Sequence, residues 1–344
     1  MAPSKPPQPT GCQIDETLER VEIDTFAFPL GVYPVEKMQP KAGYAVQFEP
    51  ADGDDQEVEE WPDRYVFEAV VTATRLPQLM RSLATLLPER VFPILDIIGY
   101  DAYREIDPYI SYELVGRDRF IDALRRFGPV LFEDGWCGIG AMSDAPFFYL
   151  FLDEHKVLTI RCTEEHRERV EAVLKAFDLE PVDQPAAADF AAHEHRSVVM
   201  APEDRPDLLS FDEICDVLRD EWRLVLNIDA EQNTDESGQP LGVVGWRCHL
   251  QLRFSSQPEV LFVEVFLEAQ SLNEADYLAQ QAAERMLESI DRLCDDARML
   301  QADRLVAADL AKSLRGIAAT AAGEFVDHRK ATGESGLLAA RWLR

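Results

Sequence analysis

The sequence predicts an α+β protein made of two α/β-sandwich-like domains with mainly antiparallel sheets. Three observations carry that expectation. Short β-branched runs alternate with single amphipathic helical stretches, and hairpins fall inside the same units. A stretch rich in Pro, Ala and acid, residues 182–206, divides the chain. The 344 residues are 47% hydrophobic, enough for two cores.

Residues 1–63 open Pro-rich and close acidic, which predicts a mobile N-terminal arm and an acidic linker. Within them Asp52, Asp54 and Gln56 imitate the start of a calcium loop. Glu57 stands where that loop needs glycine, so the match fails. An α+β domain follows over 64–181. Residues 65–74 alternate as a strand, and 76–87 form a helix with Pro77 in its first turn and Pro88 beyond its end. Strands at 90–98 and 110–115, a helix at 117–127 and a Gly-rich strand at 135–142 come next. Residues 146–152 and 156–162 read as a hairpin around Asp153, Glu154 and His155. Thr163 then caps a helix whose apolar positions are Val170, Val173, Leu174 and Phe177.

Past the 182–206 linker, residues 207–322 predict helix, three-strand meander and long helix. Ser210 and Glu213 form a capping box, and strands are expected at 222–229, 243–254 and 259–269. Ser271 and Glu274 open a second helix, and no Gly or Pro interrupts residues 259–315. The spacing of Leu272, Ala279, Ala283, Met286, Ile290, Leu293, Ala297 and Leu300 predicts a helical seam over 272–300, as one long helix or a folded-back helical pair, that either covers its own domain or joins copies of the chain. Residues 323–344 predict a flexible tether and a terminal amphipathic motif. As a helix, that motif stacks Leu338 on Trp342, with Leu343 on the same face and Arg341 beside it.

Charge excludes more than motifs include. Asp and Glu number 64 against 34 Lys and Arg, a formal net charge of −30. Nucleic-acid binding neutralises phosphates with a basic surface, so no nucleic-acid partner is expected, and no anionic membrane either. The six cysteines are scattered with no paired spacing, which predicts free thiols in the cytoplasm. No cofactor and no metal is expected. His193 and His195 would point the same way if extended and could share an ion, but no third ligand is identifiable.

Two function classes remain. A protein-binding adaptor or chaperone-like role would use the terminal motif together with the outward face of the meander, where Arg247, His249, Arg253, Phe262 and Phe266 gather. The helix–meander–helix outline over roughly 207–300 resembles, in topology alone, the small acidic secretion chaperones. The alternative is a cysteine-dependent hydrolase, with Cys137 as nucleophile, His155 as base, and Asp153 or Glu154 orienting it.

Overall fold

The computed structural model describes residues 11–51, 61–201, 204–205, 207–254, 257–320, 325–326 and 333–343. It is an α+β chain that divides into two compact units, residues 1–98 with 108–225, and residues 99–107 with 226–344. No helix among the described residues is long and apolar enough to cross a membrane.

In the first unit, the short strands β1 (Glu22–Ile23), β2 (Phe26–Ala27) and β3 (Val32–Pro34) precede β4 (Gly43–Glu49) and β5 (Arg64–Val70). Then come α1 (Leu76–Ala84), β6 (Arg90–Ile98), β7 (Ile106–Ser111), β8 (Val115–Gly116), α2 (Arg117–Arg126) and α3 (Gly128–Leu131). The strands β9 (Cys137–Asp144), β10 (Phe147–Leu152) and β11 (Leu158–Cys162) lead into α4 (Glu164–Ala176). Three further elements, β12 (His193–His195), α5 (Phe211–Trp222) and β13 (Leu224–Leu226), complete the series. The main sheet runs β13-β7-β6-β9-β10-β11-β5-β4, with β8 on β6. Period-2 alternation turns Phe67, Leu95, Ile139, Leu150, Leu158 and Ile160 to one face, all fully buried. The stripes Leu79/Leu83 of α1, Phe120/Leu124 of α2 and Val170/Leu174 of α4 are buried with them.

The strands and helices expected over 64–181 are present except the strand at 110–115, which is broken between β7, ending at Ser111, and the two-residue β8; both flanks also differ from expectation. Residues 11–51 are no arm. Phe26, Phe28 and Val32 are buried in one cluster with Val70 and Val157. Nor are residues 182–206 the boundary. Ala187 and Ala188 belong to the same cluster, Val198 is fully buried, and β12 pairs antiparallel with β3. A few small or β-branched side chains, each filling a gap, suffice to hold these polar segments down. Residues 1–10 and most of the acidic run, 52–60, lie outside the described residues. The strand expected from 222 starts later, because Ile214, Leu218 and Trp222 share the buried stripe of α5. Arg223 ends that helix in the left-handed region at φ 55°.

The second unit holds β14 (Val244–Phe254), β15 (Gln257–Ala269), α6 (Leu272–Ser289), β16 (Asp296–Leu305), α7 (Ala307–Thr320), β17 (Phe325–Val326) and β18 (Gly336–Leu343). Its sheet order is β16-β14-β15-β18-β17. The expected long helix is therefore three elements. Chain direction changes after Ser289, with Asp291 at φ 55°, and residues 296–305 pair with β14 as a strand. The α6 seam of Ala275, Ala279, Ala282, Ala283 and Met286 packs in one core with Trp246, Val263 and Val265 of its own sheet. The terminal motif is a strand, not a helix. It pairs antiparallel with β15, burying Leu338 with Phe266, Leu310 and Ile317 under α7. Leu337, Ala340 and Trp342 join the α6 core. An isolated segment of this length cannot hold a helix, whereas an open strand edge satisfies its backbone at once. Most of the predicted tether, including His328, lies outside the described residues.

Candidate metal centre

Three histidines meet at one point in the first unit. Strand alternation in β12 puts His193 and His195 on one side and Glu194 on the other, as the spacing predicts. The third is His155, in the five-residue loop between β10 and β11. Asp153 closes that loop, its Oδ1 accepting from Val157 N at 2.7 Å and its carbonyl from Lys156 N at 3.1 Å. Lys156 takes the left-handed conformation, φ 64°, that a loop of this kind usually gives to glycine. Its buried Nζ donates to the Cys137 carbonyl, which offsets the backbone cost and ties the loop to β9.

The rings meet through Nε2. The His155–His193 and His193–His195 Nε2 separations are both 3.1 Å, and the ring centroids lie 4.8–4.9 Å apart. The opposite nitrogens are committed elsewhere. His193 Nδ1 donates to Ala191 O at 2.8 Å and His195 Nδ1 to Gly135 O at 2.7 Å. His155 Nδ1 faces the carboxylates of Glu154 at 3.2 Å and Asp153 at 3.8 Å.

A carbonyl oxygen only accepts, so the Nδ1 atoms of His193 and His195 carry the protons and their Nε2 atoms are lone pairs. Burial lowers the His195 pKa to about 4, which keeps that ring neutral near pH 7. Burial alone would lower His155 as well. The hydrogen bond and charge of Asp153, with the charges of Glu154 and Asp189, outweigh it and raise that ring's pKa. A proton on His155 can bridge its contact with His193. With both rings neutral, the His193–His195 contact brings two lone pairs to 3.1 Å, which a shared proton or a bound metal ion relieves.

A second layer of contacts holds the histidines. Asp134, fully buried, accepts from Trp136 N and Val198 N at 2.8 Å and from Ser197 Oγ at 3.0 Å. Arg196 N donates to Gly31 O at 2.8 Å, Gly135 N to Arg196 O at 3.1 Å, and Gly31 N to Glu133 O at 2.7 Å. This crossover fixes the carbonyl to which His195 is anchored.

Asp96 of β6 lies opposite Gly138, and its pKa is pushed up to about 7 by burial, with the Glu154 and Asp153 charges adding. Because the folded value lies above the unfolded one, the native state binds more protons between about pH 4 and pH 7, and stability falls as pH rises through that window. Asp96→Asn should therefore stabilise the metal-free protein by about 2–4 kcal/mol at pH 8 and leave it unchanged at pH 4. Urea titrations of both proteins at the two pH values check this; equal midpoints at pH 8 would contradict it.

Cys137 does not join the histidines. Its thiol is buried and pushed up to about 12, so it stays protonated, and His155 turns to His193 instead. On the second unit's sheet the expected binding face is internally paired. His249 Nε2 lies 3.1 Å from Glu264, which Arg341 also contacts; Arg247 pairs with Asp303, and Arg253 Nε donates to Gln251 at 3.1 Å. Phe266 is buried, Phe262 is half-buried opposite Leu343, and Leu338 and Trp342 pack inside the unit. Comparisons with protein-family models, with curated proteins and with solved structures return no match.

Proposed function

We infer that this chain is a metalloprotein that binds one first-row transition-metal ion, zinc(II) best, through His155, His193 and His195. The observation that carries this is the convergence of three Nε2 atoms whose rings are each anchored through Nδ1. Ligating histidines characteristically donate their other nitrogen to a carbonyl or carboxylate, which fixes the tautomer and aims the lone pair. An ion about 2.0–2.1 Å from each nitrogen at tetrahedral angles separates them by about 3.3 Å. The 3.1 Å spacings match that within the tolerance expected of a real site. Imidazole donors suit zinc, copper(II), nickel and cobalt, whereas magnesium and calcium take oxygen.

Dialysis of chelator-stripped protein against zinc, with metal counted by mass spectrometry, should give one equivalent per chain. Combining His193→Ala with His195→Ala should weaken binding by at least about 100-fold. At a free zinc concentration 100 times Kd, the ion should add about 2.7 kcal/mol of stability that the double variant lacks. Equal zinc content in wild type and double variant would overturn the assignment.

A further inference from the structure

We propose that the ion held by these histidines keeps a fourth position open, and that the charges around it admit water and small uncharged donors in preference to anions. This rests on the metal assignment above. Among the described His, Cys, Asp and Glu side chains, those that converge on the shared point are the three imidazoles. The nearest carboxylates, Asp153 and Glu154, cluster with His155 on its Nδ1 edge, where they orient the ring rather than reach the ion. All three histidines are half-buried, with 21% of the His155 side chain exposed, so solvent reaches the rings.

Zinc centres closed by four protein ligands are structural, and those with three keep water at the fourth position. Three imidazoles leave the ion its full double charge, so the water it holds is strongly polarised. The surroundings select what can replace that water. Asp153, Glu154 and Asp189 all act on His155 with negative charge. Lys156 is the opposing cation, and its ammonium is turned to the Cys137 carbonyl in the interior. Three carboxylates against one buried ammonium offset the ion's double charge, so an incoming anion gains no net attraction there while a neutral donor is unaffected.

Cobalt(II) reports coordination through its visible spectrum. The full-length protein, stripped and reloaded with cobalt(II), should show an absorption that millimolar imidazole changes at pH 8. Azide should need at least about tenfold higher concentration to produce a comparable change. Asp189→Asn, which removes one exposed charge, should narrow that gap several-fold. A cobalt spectrum that neither ligand alters, or azide binding as tight as imidazole, overturns the open and anion-averse centre while leaving the metal assignment standing. A cobalt spectrum no different in the His193→Ala/His195→Ala variant removes the metal assignment itself, and this inference with it.

Discussion

Gly135→Ala should be among the most damaging single-methyl changes in the first unit, and it should cost metal binding as well as stability. A Cβ at position 135 would lie 2.1 Å from the Gly31 carbonyl oxygen and 2.8 Å from its carbon. These are backbone atoms, held by Gly31 N on Glu133 O and by Arg196 N on Gly31 O, so no side chain can swing aside. Relief requires the crossover to open, which loses hydrogen bonds on both strands of chain. Overpacking typically costs about 1–3 kcal/mol, and a clash against pinned backbone belongs at the upper end of that range. Position 135 itself carries the carbonyl that holds His195 Nδ1, and it shifts when the crossover opens, so zinc affinity should fall by about 10–100-fold on top of the stability loss. Gly31→Ala should act alike, since its Cβ would lie 2.2 Å from Gly135 N. Gly116→Ala is the steric control: nothing lies within 4 Å of its Cβ, so it should cost no more than the loss of a glycine N-cap, about 1 kcal/mol or less, and leave zinc binding unchanged. Denaturant midpoints and zinc titrations of the three variants decide this. A Gly135→Ala protein with wild-type midpoint would show that the crossover is slack.

The alternation of His193 and His195 was legible because a strand puts alternate residues on one side whatever surrounds it. The third ligand was not. His155 is 38 residues away from His193, and only the packing of the β10–β11 loop against β12 brings the two together. Local spacing carries no trace of such a meeting. The tightness of the Asp153–Val157 loop was the available signal, and it placed His155 beside two carboxylates without indicating where Nε2 would point.

The second unit misled for a different reason. Strands buried on both faces need not alternate, and β-bulges shift the phase further. The β14–β16 register slips between His249 and Leu250, pairing Leu250 with Met299 but His249 with Gln301. Ala297, Met299, Leu300 and Ala302 then lose strict alternation and fall by accident on a helical spacing. A second slip, between Phe266 and Leu267, does the same to Leu337 and Leu338 in β18. Those two adjacent leucines are buried in different cores, one with α6 and one with α7. The capping boxes at Ser210 and Ser271 concern a single helical turn, so later slips could not disturb them. At Ser210 the box is complete; at Ser271 the serine accepts from the Glu274 amide, but the Glu274 carboxylate takes Gln270 N instead of Ser271 N.

Arg304→Ala should be the largest single loss in the second unit. Its side chain is 5% exposed and its partner Asp101 is fully buried. The guanidinium gives Nε and Nη2 to Asp101 at 2.9 Å, and Nη1 to Asn233 Oδ1 at 3.1 Å and Thr234 O at 2.6 Å. Asp101 also accepts from Arg304 N at 2.8 Å, and Ala102 N donates to Arg304 O at 2.9 Å, so the pair pins the 99–107 segment to β16. Truncation leaves the buried carboxylate with the backbone donors Arg304 N and Tyr103 N and the Arg104 guanidinium at 3.5 Å, but without its close guanidinium, and breaking a buried pair from one side costs about 3–5 kcal/mol. Arg304→Lys should recover part of this, because an ammonium restores the charge but not the planar fork that reaches Asp101 and Asn233 together. Replacing both partners, Asp101→Leu with Arg304→Met, should cost less than Arg304→Ala alone, since no charge is then left unpaired in the interior. Hydrogen exchange of the β14 and β16 amides reads the effect locally: a 3 kcal/mol loss accelerates opening about 150-fold. Acceleration below about fivefold in Arg304→Ala would mean that water already reaches Asp101 and that the pair adds little to the unit.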